Sequence, residues 1–309
     1  MHQTLTFPLK RQRSSIPVPE VYHYDLGPND AGAPYIIMEY IHGTVASELP
    51  RQIDAPYYQY GTPEQDEKFR RRMAAIQVEM ASLTFDQIGS LYQDPETKAF
   101  YIGPECETGQ GPWNSSIEYY RDLANQKLER GIRSAPFEVQ DDYSFALPVL
   151  FERLIELYAE EGSVRGPFGL AHQDFGVHNI LVNEDFEVLA VIDLDSLLAA
   201  PVEIQAQFPC SPGFVMEAPF HVETRPLAIE TIAQTRPKLE EYKRMVQECE
   251  GKTRNALNQQ IRLGDLMLSD ISAIVLGLTR YDGHQAWVNQ KWMLSFSRLL
   301  RRKIAARIG

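Results

Sequence analysis

The chain has 309 residues, 44% of them hydrophobic and 23% charged, enough for one large or two modest buried cores. A formal net charge of −12 excludes a nucleic-acid backbone as partner, because that partner demands a cationic surface; it permits a cationic substrate, although acidity that keeps the protein in solution is the plainer account. No apolar run approaches the ~18 residues that a bilayer span needs, and Ile271 to Leu278 reads as part of a buried helix, so no membrane span is expected.

Three cysteines, Cys106, Cys210 and Cys249, are too scattered for a CxxC knuckle or a disulfide framework, which fits a reducing compartment. Lys10, Arg11 and Arg13, with no acid before Glu20, have the charge of a transit peptide but no clear amphipathic helix. The expected location is cytoplasmic.

In chain order, Val18 to Leu26 and Pro34 to Ile41 are rich in β-branched and aromatic residues around the turn cluster Gly27-Pro28-Asn29-Asp30, and predict paired strands. Pro63, followed by Glu64, Asp66 and Glu67, opens a helix to about Leu83, with Phe69, Met73, Ile76, Met80 and Leu83 on one face as core. Tyr92 to Gly111 predicts a small hairpin, and helices follow over Ser115 to Arg130 and Asp141 to Glu161, the second stopped at Gly162. After a segment from Gly169 to Ala200, Pro201 to Pro226 is proline-rich and irregular. Helices then predicted are Ala228 to Cys249, Arg254 to Arg280 and Gly283 to Ala306. Strands first and helices after predict an α+β chain in two lobes, with residues 1–43 in the sheet lobe and hinge and 44–309 in the helical lobe.

The chemistry lies between His172 and Asp195. His172-Gln173-Asp174-Phe175-Gly176-Val177-His178-Asn179 has the form HxDxxxxN. It runs into two short apolar strands, Ile180 to Val182 and Val188 to Ile192, and the second ends in Asp193-Leu194-Asp195. Phosphoryl transfer explains these residue types. A carboxylate at Asp174 can take the proton of a substrate hydroxyl. Magnesium, a hard ion, wants oxygen ligands, which the Asn179 amide and the Asp193 carboxylate supply. His172 belongs to the catalytic set as the residue that holds the loop still, while His178 receives no role. Asp195 reads first as a solvated carboxylate.

At these residues the sequence resembles the aminoglycoside phosphotransferase family, the kinase-like group that also includes choline, ethanolamine and homoserine kinases, and it looks most like the fungal-type branch. Ile16 to Tyr22, Pro34 to Gly43, Phe85 to Tyr92, His172 to Asn179 and Asp193 to Asp195 with Pro201 carry the resemblance, with Leu194 where tryptophan is more usual. It implies a protein-kinase-like two-lobed fold with a mostly helical carboxy-terminal lobe, and an ATP-dependent kinase of a small-molecule hydroxyl. It further implies Asp174 as base, Asn179 and Asp193 as magnesium ligands, and backbone groups around Glu39, Tyr40 and Ile41 against adenine. From the residues alone, that last segment is only a strand end.

A working kinase of this kind also carries a phosphate-covering hairpin, a lysine on its third strand and a helical glutamate that pairs with it. These are expected before Ile16, where only fifteen residues stand and Lys10 is the one lysine before Lys68. The expectation is therefore an incomplete sheet lobe: a truncated enzyme, which the intact triad favours, or a non-catalytic pseudokinase kept for binding. The basic run Arg298 to Arg307, with Leu299, Leu300, Ile304 and Ile308 interleaved, is expected to dock on the protein's own core.

Overall fold

A computed structural model describes residues 14–25, 27–49, 59–94, 96–97, 99–134, 142–158, 164–211, 213–214, 216–221, 224–257, 262–279 and 286–308. The readings placed on Lys10, Arg11, Arg13, Asp141, Gly162 and Gly283 lie outside the described residues.

The first two strands, β1 (Val21–Asp25) and β2 (Tyr35–Met38), form an antiparallel hairpin with Val21 opposite Met38 and Asp25 opposite Tyr35. Asn29 ties its loop: the side-chain oxygen accepts from Ala31 N, and the amide nitrogen donates to the Gly27 and Ala33 carbonyls. Asn is suited to this because its short amide reproduces backbone hydrogen bonds. The chain then enters a second sheet, where β3 (Thr44–Val45) pairs with β8 (Ile180–Val182) and β8 with β9 (Val188–Val191). Residues before β1 lie along the other edge of this sheet, with Val191 N donating to Pro17 O at 2.9 Å and Ile16 and Val18 buried.

Helix α1 (Pro63–Ala81) starts where proline and the acidic first turn place it. Thr62 and Gln65 form a reciprocal capping box, two donors satisfied at once. Phe69, Met73, Ile76, Met80 and Leu83 are all buried, as their spacing predicts.

A five-stranded antiparallel sheet follows in the order β4 (Thr84–Phe85), β7 (Phe168–His172), β10 (Leu197–Ala200), β5 (Gly89–Gln93), β6 (Phe100–Gly103). The predicted hairpin is β5–β6, but it begins three residues earlier than expected and belongs to this larger sheet. Strands β7 and β10, Phe-Gly-Leu-Ala-His and Leu-Leu-Ala-Ala, are buried at every position. They lack alternation for that reason, since a strand covered on both faces has no polar side to show.

The helical part comprises α2 (Ser116–Ser134), α3 (Asp142–Tyr158), α4 (Val202–Gln205), α5 (Pro226–Leu257), α6 (Leu263–Leu266), α7 (Asp270–Thr279) and α8 (Ala286–Ile308). One prediction is corrected here: Arg254 to Arg280 is not a single helix. Helix α5 runs on to Leu257, and α6 and α7 are separated at Met267 to Ser269. Leu268 has φ 64°, outside the right-handed region, and Ser269 Oγ accepts from Ser272 N at 3.3 Å, capping a new helix. The basic terminal helix docks as expected. Leu299 is fully buried, Tyr158 Oη donates to Leu299 O at 3.2 Å, and Lys303 lies 4.4 Å over the Tyr158 ring. Its last turn, with Ile308, stands in solvent. Among the described residues, no helix is long and apolar enough to cross a membrane.

The junction of α5 and α6 carries a pH prediction. Glu250 accepts the backbone N–H groups of Leu263 and Gly264, and burial pushes its carboxyl up to about 7. The folded value lies above the ordinary 4.5, so between those values the folded chain holds a proton that the unfolded chain has lost, and stability falls as pH rises. Glu250→Gln is expected to flatten that fall, read as a smaller difference in Tm between pH 4.5 and 7.5 than the parent shows.

Candidate active site

The catalytic segment is a loop held at both ends by sheets. Strand β7 delivers His172, and β8 leaves from Asn179. Between them Phe175 N donates to His172 O, and Asn179 N to Gly176 O, each at 3.0 Å. The β8–β9 turn is built by Asn183, whose side-chain oxygen accepts from Asp185 N and Glu187 N. Ile180 pairs with Val191, and Ile192 N donates to Asn179 O. Asn179 therefore stands opposite Ile192, and Asp193 follows one residue beyond.

Asp193 has φ 58° and ψ 59°, a left-handed conformation that costs an ordinary residue about 1 kcal/mol or more and collects at functional sites. Asp193 is exposed, and Leu194, fully buried, anchors the next turn.

His172 is buried, with Nε2 3.3 Å from Ile192 O and Nδ1 3.0 Å from Ser196 Oγ. One ring thus ties the loop to the residue before Asp193 and to the turn after it. Asp174 is half exposed at its side chain. Its backbone oxygen and Oδ2 accept from Asn179 Nδ2 at 3.0 and 3.3 Å. With the amide nitrogen so engaged, Asn179 Oδ1 is the end left to meet a hard cation, and together with the Asp193 carboxylate this is an oxygen donor set suited to magnesium.

Two further residues meet Asp174 that the sequence did not single out. His178 Nε2 donates to Asp174 Oδ2 at 2.9 Å, although the HxDxxxxN pattern says nothing about that position. Cys210 reaches the same spot from the segment after α4, and no local spacing could have announced it. Asp195 is exposed and lines a separate recess with Glu105, Glu107 and Gln173.

Glu39, Tyr40 and Ile41 follow directly on β2, which ends at Met38. Glu39 N donates to Glu20 O at 2.6 Å, and Glu39 Oε2 accepts from Glu20 N. Tyr40 is exposed, its ring edge-on to His42 at 4.8 Å, and Ile41 is half-buried. Beside Asp174 opens a cavity of about 760 Å³, within the usual range for small-molecule sites. Met80, Leu170, Phe208, Phe214, Met216 and Leu276 form much of its wall.

A loop of this form, closed by a hairpin that ends on a strained aspartate and set against a helical body, defines the protein-kinase-like phosphotransferase scaffold. Residues 9–203 match the phosphotransferase enzyme family, and the chain belongs to that family. Among solved structures it is similar to a candidate aminoglycoside phosphotransferase from Ralstonia eutropha JMP134, at 13% identity and TM-score 0.52 over 98% of this chain and 83% of that one. It also resembles a thermostable mutant of the aminoglycoside phosphotransferase APH(4)-Ia, at 17% identity and TM-score 0.49 over 96% and 83% of the two chains. Identities this low speak for fold alone, and the fold comparison rests on the first. Among curated proteins, none matches the chain.

Proposed function

We propose that this protein is an ATP-dependent kinase of a small-molecule hydroxyl, with Asp174 as base and Asn179 and Asp193 as the residues that would hold magnesium. The observation that carries the reading is Asp174, fixed by Asn179 at the mouth of an apolar cavity large enough for a drug-sized substrate. Magnesium-ATP, when bound, supplies the phosphoryl group and neutralises its charge. Asp174 Oδ2 is bonded to His178 and Asn179, so Oδ1 is the atom that takes the proton of the incoming hydroxyl. The buried His172 ring keeps that carboxylate in register with Asp193. Apolar walls orient the substrate and exclude water. The segment Glu39 to Ile41 is the proposed adenine contact, through its backbone. A cytoplasmic location accords with three cysteines that form no disulfide.

One observation favours a second reading, a non-catalytic binding protein on the same scaffold. Among the described residues that line the cavity at Asp174, none is a lysine or arginine that could face a transferring phosphoryl group. Nucleotide binding separates the two. With magnesium and ATP the protein should melt at a higher temperature, because a ligand that binds only the folded state stabilises it, and Asp193→Ala should remove most of that rise. Equal melting temperatures with and without magnesium-ATP would overturn the kinase reading.

A further inference from the structure

The geometry points to a zinc site built on the catalytic base: we propose that Asp174, His178 and Cys210 together bind a zinc-class divalent cation and that its binding switches the phosphotransferase off. One ligand atom from each, a carboxylate oxygen, an imidazole nitrogen and a thiol sulfur, lie within 4.8 Å of one another. Asp174 Oδ2 and His178 Nε2 are already 2.9 Å apart. In tetrahedral zinc, with metal–ligand distances of about 2.0–2.3 Å, neighbouring ligand atoms sit about 3–4 Å apart, so small rotamer adjustments close the site. A water completes the fourth position.

The convergence is set by backbone. Cys210 N donates to Phe175 O at 2.6 Å, and Val177 N donates to Cys210 O at 3.2 Å. These bonds clamp the cysteine against the catalytic loop on both sides of Gly176. That glycine is what admits the approach: a Cβ there would lie 2.3 Å from Cys210 O and 2.8 Å from His178 Cε1, closer than atoms can come.

The donor set selects the ion. Magnesium takes oxygen and retains its water, whereas thiolate with imidazole suits zinc, cobalt and their neighbours. Coordination through His178 Nε2 requires the ring proton on Nδ1, and the thiol passes its proton to solvent as the metal–sulfur bond forms. Zinc on Asp174 Oδ2 would draw negative charge from the carboxylate and lower the basicity of Oδ1, the oxygen that takes the hydroxyl proton. The inhibitory consequence rests on the kinase reading above; the binding does not.

The test uses the full chain, cobalt chloride as spectroscopic probe and zinc chloride as competitor. One equivalent of cobalt should produce a thiolate-to-metal absorption band that zinc abolishes. Cys210→Ser should lose the band and lower zinc affinity by about tenfold or more, since the soft donor is gone, while Cys106→Ser should keep both. His178→Ala provides a second variant and should weaken binding with the thiol still present; circular dichroism verifies that each variant is folded. Absence of the band in the parent protein, or its persistence in Cys210→Ser, would overturn the site. If ATP turnover is detected, zinc should inhibit the parent and not Cys210→Ser, and equal inhibition of both would overturn the switch. If turnover is absent while the cobalt band behaves as described, the kinase reading fails and the metal site stands.

Discussion

Asp174→Asn should lower the turnover number for phosphoryl transfer by about 10²–10⁴, the usual contribution of a positioned general base, while nucleotide binding and Tm stay near those of the parent. The substitution preserves shape. An amide oxygen at the Oδ2 position can still accept from Asn179 Nδ2 and His178 Nε2, the two bonds that hold the side chain, and the backbone bond from Asn179 to Asp174 O is untouched. What disappears is the capacity to accept a proton and the negative charge that orients the hydroxyl. The loss should therefore fall on kcat rather than KM. ATP consumption measured with a hydroxyl-bearing acceptor that the parent phosphorylates reads the loss, an unchanged Tm separates it from a folding defect, and a variant as active as the parent would remove Asp174 from the chemistry.

The parts of this site that were legible are those fixed by neighbours in sequence. HxDxxxxN is a single loop, its spacing set by two turns that close on His172 O and Gly176 O. The hairpin after it is announced by Asn183, whose side-chain oxygen accepts two of the turn's backbone N–H groups. The first hairpin follows from Asn29 in the same way, and α1 from Thr62, Pro63 and Gln65.

What could not be read depends on distant chain. Cys210 joins His178 only because one glycine lets two remote backbones touch. Strands β7 and β10 form the centre of the large sheet, but their burial on both faces erases the alternation by which a strand is recognised. The break between α6 and α7 sits in a stretch, Leu263 to Leu278, that is apolar enough for one helix. Ser269 acts there as a cap, and the choice between cap and interior is made by packing rather than propensity. The proposed function follows the same division: the proposed base and oxygen donors come from local pattern, and the cavity beside them is walled by α1, β7, residues around Ile204 to Met216 and α7.

The largest loss of stability should come from Asp66→Ala, at about 3–5 kcal/mol, the cost of stripping one partner from a buried ion pair. Asp66 and Arg70 lie one turn apart on α1 with 13% and 3% side-chain exposure, joined at 2.8 Å from Arg70 Nε to Asp66 Oδ2. Asp66 Oδ1 also accepts from Tyr60 N. The Arg70 guanidinium stacks 4.7 Å over Phe214, a wall of the cavity beside Asp174. Alanine would leave a guanidinium charge in a dry site next to Lys238, whose ammonium is already pushed down to about 8 by burial and then by Arg70, and raised in part by Asp66. With the folded value below the ordinary 10.5, the unfolded chain carries the extra proton in that window, so stability rises with pH there. Loss of Asp66 depresses Lys238 further and extends the rise to lower pH. Urea denaturation should rank the parent above Asp66→Asn and Asp66→Asn above Asp66→Ala. The double substitution Asp66→Leu with Arg70→Met should recover most of the loss, because paired charges and well-packed apolar groups of similar volume are nearly interchangeable in a core. If Asp66→Ala alone stays within about 0.5 kcal/mol of the parent, as a substitution remote from any such feature would, the pair does not hold α1 against the cavity wall. If instead the double variant is as unstable as Asp66→Ala, the cost lies in the lost Tyr60 bond rather than in the stranded charge.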